Sequence, residues 1–161
     1  EALMTTPVSN LQIVFSKFLA SWIFYGLMWL PLWGFMVWLG QFFNDPEYLD
    51  ADIVGGTALG VMLLGGLFLA IGCLASAATK SQLIAALLAL TLEMVLFMLS
   101  FVIELLPDQS GWQATLFGHI CLFDHMGDFV RGIINGSHLI FYFTGTGLFL
   151  FLTWRWVESR K

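Results

Sequence analysis

Residues 53–79 read IVGGTALGVMLLGGLFLAIGCLASAAT, 27 positions without a charge. A helix needs about 20 apolar residues to cross the hydrocarbon core of a bilayer, so this run is long enough to span. In lipid every backbone N–H and C=O must be bonded internally, which leaves helices or closed barrels. The apolar residues are continuous and do not alternate with period two, which excludes a barrel strand. Working outward, residues 18–44 are also uncharged, residues 81–103 carry one charge, Glu93, and residues 132–154 carry none. These stretches predict four transmembrane helices, over 18–43, 53–79, 82–104 and 136–155, in an all-α polytopic membrane protein.

The composition agrees. Of 161 residues, 59% are hydrophobic, 16% aromatic and 11% charged, and the mean hydropathy is +0.87. Soluble domains carry roughly 25% charged residues, so this chain cannot coat a water-facing surface. A soluble enzyme and a disordered segment are excluded. The net charge of −5, with six basic residues, offers no footprint for a phosphate backbone and excludes a nucleic-acid partner. Two cysteines, Cys73 and Cys121, are too few for a disulfide scaffold and lack metal-motif spacing.

Four crossings place Lys17, Lys80, Arg155, Arg160 and Lys161 on one side. Asp45, Glu47, Asp50, Asp52, Glu104, Asp108, Asp124 and Asp128 fall on the other, with Arg131 as the lone base. By the positive-inside rule both ends are expected in the cytoplasm, with 156–161 as a cytoplasmic tail and 44–52 and 106–135 outside. Nothing at the start resembles a signal peptide, because Glu1 is charged and the apolar run begins late and continues too long. The absence of an initiator methionine suggests a fragment, with further residues expected before Glu1.

Several positions within the helices stand out. Pro31 lies mid-span, where it deletes a backbone hydrogen bond and favours a kink, read either as packing geometry or as a hinge. Gly56 and Gly60 form a GxxxG pair, and Gly66, Ala70, Gly72 and Ser76 continue the small-residue pattern, so this helix is expected to be buried by close packing. Glu93 sits mid-membrane, where an ionised carboxylate is costly; it is read as a polar contact to a neighbouring helix or subunit, or as a coupling or pathway group. The external segment 106–135 is expected to form one or two short amphipathic helices at, or dipping into, the interface. Trp112, Leu116, Ile120 and Phe123 recur there at helical spacing, Phe129, Val130 and Ile133 form a second apolar cluster, and Asp128 and Arg131 are placed to pair.

The same segment carries His119, Cys121, Asp124, His125 and Asp128, which are metal-ligand types. His125 and Asp128 share a helix face, but His119 and His125 are six apart and diverge, so no zinc-type spacing exists and no metal is expected. Haem ligation by His138 lacks a second histidine within a span. Ser137 and His138 are adjacent and cannot serve as a serine–histidine pair. No catalytic constellation is present.

Three stretches carry a family resemblance. EALMTTPVSNLQIVFSKFLASW at the start, GLFLAIGCLASAATKSQLIAALLAL in the middle and LFDHMGDFVRGIINGSHLIFYFTGTGLFLFLTWRWVESRK at the end resemble, in order, the permeases of ABC-2 type transporters. The likeness is to the gliding-motility and copper-enzyme-maturation branch. TTPVS and DHMGDFVRG are its most specific parts. The resemblance implies a fragment of a six-helix permease, its first two helices preceding Glu1, in a bacterial inner membrane. It implies an exporter driven by a separate ATPase subunit that binds ATP and Mg, and a second permease chain as a homodimer or heterodimer. No G-x-x-x-x-G-K-[ST] phosphate loop is present, so ATP hydrolysis is expected in the partner and no cofactor in this chain. The family's ATPase contact maps onto the cytoplasmic segment 1–16, centred on Thr5, Thr6, Pro7, Val8 and Ser9. There the Thr, Pro and Ser residues favour a turn, and Ser9 or Asn10 can cap a helix beginning near Leu11. A membrane-embedded metal or haem redox protein and a non-transporting assembly or anchor subunit are the alternatives.

Overall fold

The computed structural model describes residues 9–43, 50–105 and 120–159. It contains α1 (Asn10–Phe43), α2 (Ala51–Ala78), α3 (Gln82–Leu105), α4 (Leu122–Val130) and α5 (Gly136–Ser159). All but α4 are long and apolar enough to cross a membrane. They match the four expected spans, but α1 and α5 run past the limits read from charge gaps. A helix does not stop at the hydrocarbon boundary, because its backbone bonds remain favourable beyond it. At its start, Ser9 Oγ accepts from the Gln12 N–H (3.3 Å) while the Ser9 N–H donates to Gln12 Oε1 (3.1 Å). This reciprocal capping box satisfies donors that the first turn would otherwise leave open. The helix continues through Pro31 to Phe43.

The second helix is the hub, in contact with every other helix. Leu67, Ala70, Ile71 and Ala75 on it are essentially inaccessible, whereas α1 and α3 expose most of their large apolar side chains. Two glycine pairs on α2 shape its contacts. In a helix the carbonyl of residue i is bonded to the N–H of residue i+4, and the side chain there stands beside it. Gly65 and Gly66 have no side chain, which leaves the carbonyls of Val61 and Met62 open. Both are used by α1: the Tyr25 hydroxyl donates to Val61 O (3.3 Å) and the Trp22 indole donates to Met62 O (3.1 Å). A Cβ at Gly65 would overlap the Tyr25 ring, and one at Gly66 would lie 3.3 Å from Trp22 Nε1.

The GxxxG pair faces α4, not another span. A Cβ at Gly60 would fall 2.8–2.9 Å from the Phe129 side chain, and one at Gly56 would fall 2.5 Å from Phe129 O. Phe129 is fully buried in this seat. Just beyond it Gly132 turns the chain at φ +75°, a conformation that side chains with a Cβ rarely adopt. Its Cα lies against Gly56, and a Cβ would also meet Asp52 at 3.1–3.3 Å.

The short helix therefore packs among the ends of α2, α3 and α5. Ile120 and Cys121 precede its first turn, which corrects the expected periodic run through Ile120 and Phe123; Trp112 and Leu116 lie outside the described residues. The expected cluster of Phe129, Val130 and Ile133 is also divided, with Phe129 buried and the other two about half exposed. The reason is the seat on α2, which admits one face of the helix only.

Helix direction sorts the charges. Lys17, Lys80 and Arg155 lie at one end of the bundle, where Lys17 Nζ reaches Ser76 Oγ at 3.4 Å. Asp50, Asp52, Asp124 and Asp128 lie at the other, with Arg131. Gly60→Val and Gly65→Val should each lower stability by about 1–3 kcal/mol through overpacking. Gly55→Ala, where a Cβ meets nothing within 4 Å, should be neutral or slightly stabilising; thermal unfolding in detergent separates the two classes.

Candidate functional site: a polar cluster between the short helix and the last span

At the acidic end α4 is fixed at its start, on its flank and at its close. At its start, the N-cap Cys121 makes no side-chain cap bond. Ser100, fully buried on α3, takes that place: its Oγ accepts from the Leu122 N–H (3.2 Å) and donates to Leu96 O (3.1 Å). The Cys121 thiol points at Ser100 O (3.8 Å). Burial pushes this thiol up from its ordinary range, against the lowering effect of nearby backbone N–H groups. Burial thus disfavours the thiolate at this position.

On its flank, Asp128 faces α5. Its Oδ2 accepts from His138 Nε2 (2.9 Å) and from the Asn135 amide (2.8 Å); the proton is assigned to Nε2 because a carboxylate can only accept. The His138 hydrogen bond, with help from Asn135, holds the Asp128 carboxyl below its usual range, against desolvation. This corrects the expected Asp128 and Arg131 pair. Arg131 ends α4, its N–H bonded to Asp128 O, while the Asp128 side chain turns to the next helix. Asn135 carbonyl oxygen also accepts from the His138 and Leu139 N–H groups, so one residue caps α5 and orients the carboxylate.

Behind this pair lies the His125 ring, 4.0 Å from the His138 ring and edge-on to Phe141 and Tyr142. His125 and Tyr142 are almost wholly buried. The Tyr142 hydroxyl and His138 Nδ1 are buried without a hydrogen-bond partner among the described residues. His125 and Asp128, which share a face in the sequence, thus meet through His138, a residue ten positions on. Only the Asn135 cap hints at that fold-back in the sequence. Among the described residues no three His, Cys, Asp or Glu side chains gather as a metal site; His119 lies outside them.

Of the other singled-out residues, Ser9 caps α1, while Thr5, Thr6, Pro7 and Val8 lie outside the described residues. Glu93 lines a cavity of about 380 Å³ between α1, α2 and α3, with Tyr25, Gly65 and Gly72 among its walls. No basic side chain of the described residues pairs with it.

Because the folded Asp128 titrates below its unfolded value, its tie to α5 contributes stability above the unfolded carboxyl pKa of about 3.9. That contribution is lost as pH falls through the lower folded value. Acidification should therefore lower hydrogen-exchange protection, measured against the intrinsic rate at each pH, in α4 and the 131–135 turn, and Asp128→Asn should show lowered protection already at neutral pH with a smaller response to acid.

A family model for the ABC-2 family transporter protein matches residues 1–145. No curated protein and no solved structure matches the chain. The match takes in α1 to α4 and the first part of α5, including the Asp128, Asn135 and His138 cluster. Three apolar spans packed around a fourth, the glycine-bared hub, with a short helix seated among their ends, are the architecture over most of which that match extends. The chain belongs to the ABC-2 transporter family, as a multi-pass permease component of an ABC transporter.

Proposed function

We propose that the chain is the permease half of an exporter whose ATP hydrolysis takes place in a separate ATPase subunit. In this reading a second permease chain completes the path, and the basic end faces the cytoplasm of a bacterial cell. The observation that carries it is the start of α1 at the basic end, where the capping box at Ser9 makes a stiff helix begin directly after TTPVS. The positive-inside rule supports the orientation, since Lys17, Lys80 and Arg155 share that end.

Residues Thr5–Ser9 are the proposed contact for the ATPase. A push there would travel along α1, which is tied to α2 through Trp22 and Tyr25. The other half of α2 carries α4 on Gly56 and Gly60. Closure of the ATPase dimer would thus be felt at the outer mouth, where α4 sits. Glu93, in the cavity between the moving α1 and the hub, is the proposed coupling group.

Charged replacements at Thr6 and Ser9 are expected to abolish cargo-dependent ATP hydrolysis while the permease still inserts and dimerises. Normal coupling in those variants would contradict the docking assignment. Glu93→Gln should lower transport by about tenfold or more with assembly intact, as a barrier raised by about 1.4 kcal/mol would do. Unchanged transport would remove Glu93 from the mechanism.

A further inference from the structure

α1 and α5 leave a groove between them, floored in its inner part by Met62, Leu63 and Gly66 of α2. Two adjoining cavities form it, of about 240 and 330 Å³, sharing Phe15, Gly147 and Leu150 as walls. At one end lie Leu11 and Trp154, near the basic end; at the other lie Trp22 and Tyr142. A Cβ at Gly147 would meet nothing within 4 Å, so a bulky side chain there has room to enter the groove without first displacing a neighbour. From Leu11 to Trp22 the groove is about 17 Å long at the helical rise. That is close to half of the ~30 Å hydrocarbon core, the depth of one leaflet.

A basic group lies beside the groove. Val14 separates the groove from a smaller cavity at the basic end, lined by Lys17, Ser76 and Thr153. The Lys17 ammonium touches the Ser76 hydroxyl and has no carboxylate within ion-pair distance among the described residues. Arg155, by contrast, is turned to Glu158 at 3.4 Å. An apolar slot about one leaflet deep, with an ammonium group in the adjoining cavity across Val14, matches a molecule with an acyl tail and an anionic head.

We propose that this groove is a binding site for one phospholipid of the basic-side leaflet, its acyl chain lying between α1 and α5 and its phosphate beside Lys17 and Ser76. The site needs only that the spans lie in a bilayer, so it stands or falls apart from the ATPase assignment. A bound chain would fill the gap between the helix that meets the ATPase and the helix that carries His138. Its presence would therefore set how freely α1 moves against α5.

The test is native mass spectrometry of the full chain released from nanodiscs holding equal amounts of phosphatidylglycerol and phosphatidylcholine. Wild type should retain one lipid with about fivefold preference for phosphatidylglycerol, the scale of one lysine near an anionic surface. Lys17→Gln should keep the lipid and lose the preference, and Gly147→Phe should lose the lipid. Phosphatidylglycerol with a photoreactive chain, applied to wild type, should mark the groove walls on α1 and α5. Absence of retained lipid, retention by a folded Gly147→Phe variant, or adducts spread evenly over the exposed faces of α1 and α3 would overturn the proposal. So would cysteine cross-links from Phe15 or Leu150 that trap another helix or a second copy of the chain in the slot.

Discussion

The structure depends on how closely other helices can approach the backbone of α2. Lipid tails are as apolar as leucine, so burial of apolar surface gives helices in a bilayer little reason to associate. What remains is close packing and the satisfaction of polar groups, and both need bare backbone. Gly65 and Gly66 open two carbonyls to an indole and a phenol from α1. Gly56 and Gly60 make room for the Phe129 ring and the turn after α4. Four missing side chains on one helix thereby locate two other elements of the bundle.

The short helix shows the same economy at the acidic end. A nine-residue helix in isolation is marginal, and α4 has a cap residue whose side chain makes no cap bond. Its stability comes from neighbours: the Ser100 hydroxyl at its start, the α2 seat under Phe129, and the Asp128 bond to His138 and Asn135. A buried histidine stack and a buried phenol behind that bond would be costly in lipid, and their place at the bundle end beside a carboxylate limits the cost. Because each support comes from a different span, a shift of any one span must alter the setting of α4.

Much of this was legible in the residues. The four spans follow from gaps between charges, since a charge in hydrocarbon is costly enough to be a reliable boundary marker. The burial of α2 followed from its glycines, and the cap at Ser9 from local hydrogen-bond chemistry. The partners did not follow. GxxxG signals close approach without saying to what, and its partner is α4 and not a span. Asp128 has a base three positions on, yet its carboxylate takes His138, because the turn at Gly132 folds α5 back beside it. Both are choices between a local and a distant contact, and sequence spacing reports only the local one. Glu93 was visible as an anomaly, but the cavity it lines is formed by residues on two other helices.

The central claim is that the two glycine pairs of α2, on different sides of that helix, link the basic end of the bundle to α4. It is tested most directly by thiol labelling of a cysteine placed at Gly127, on the exposed face of α4, with Cys73 and Cys121 replaced by alanine. The labelling rate would be compared in the reconstituted permease and ATPase complex, nucleotide-free and trapped with ATP. A clear change in rate on trapping, lost in Gly65→Val while ATP still binds, is the result this account predicts. Equal rates in the two states, or a change that persists when the seat of α1 on α2 is blocked, would contradict it.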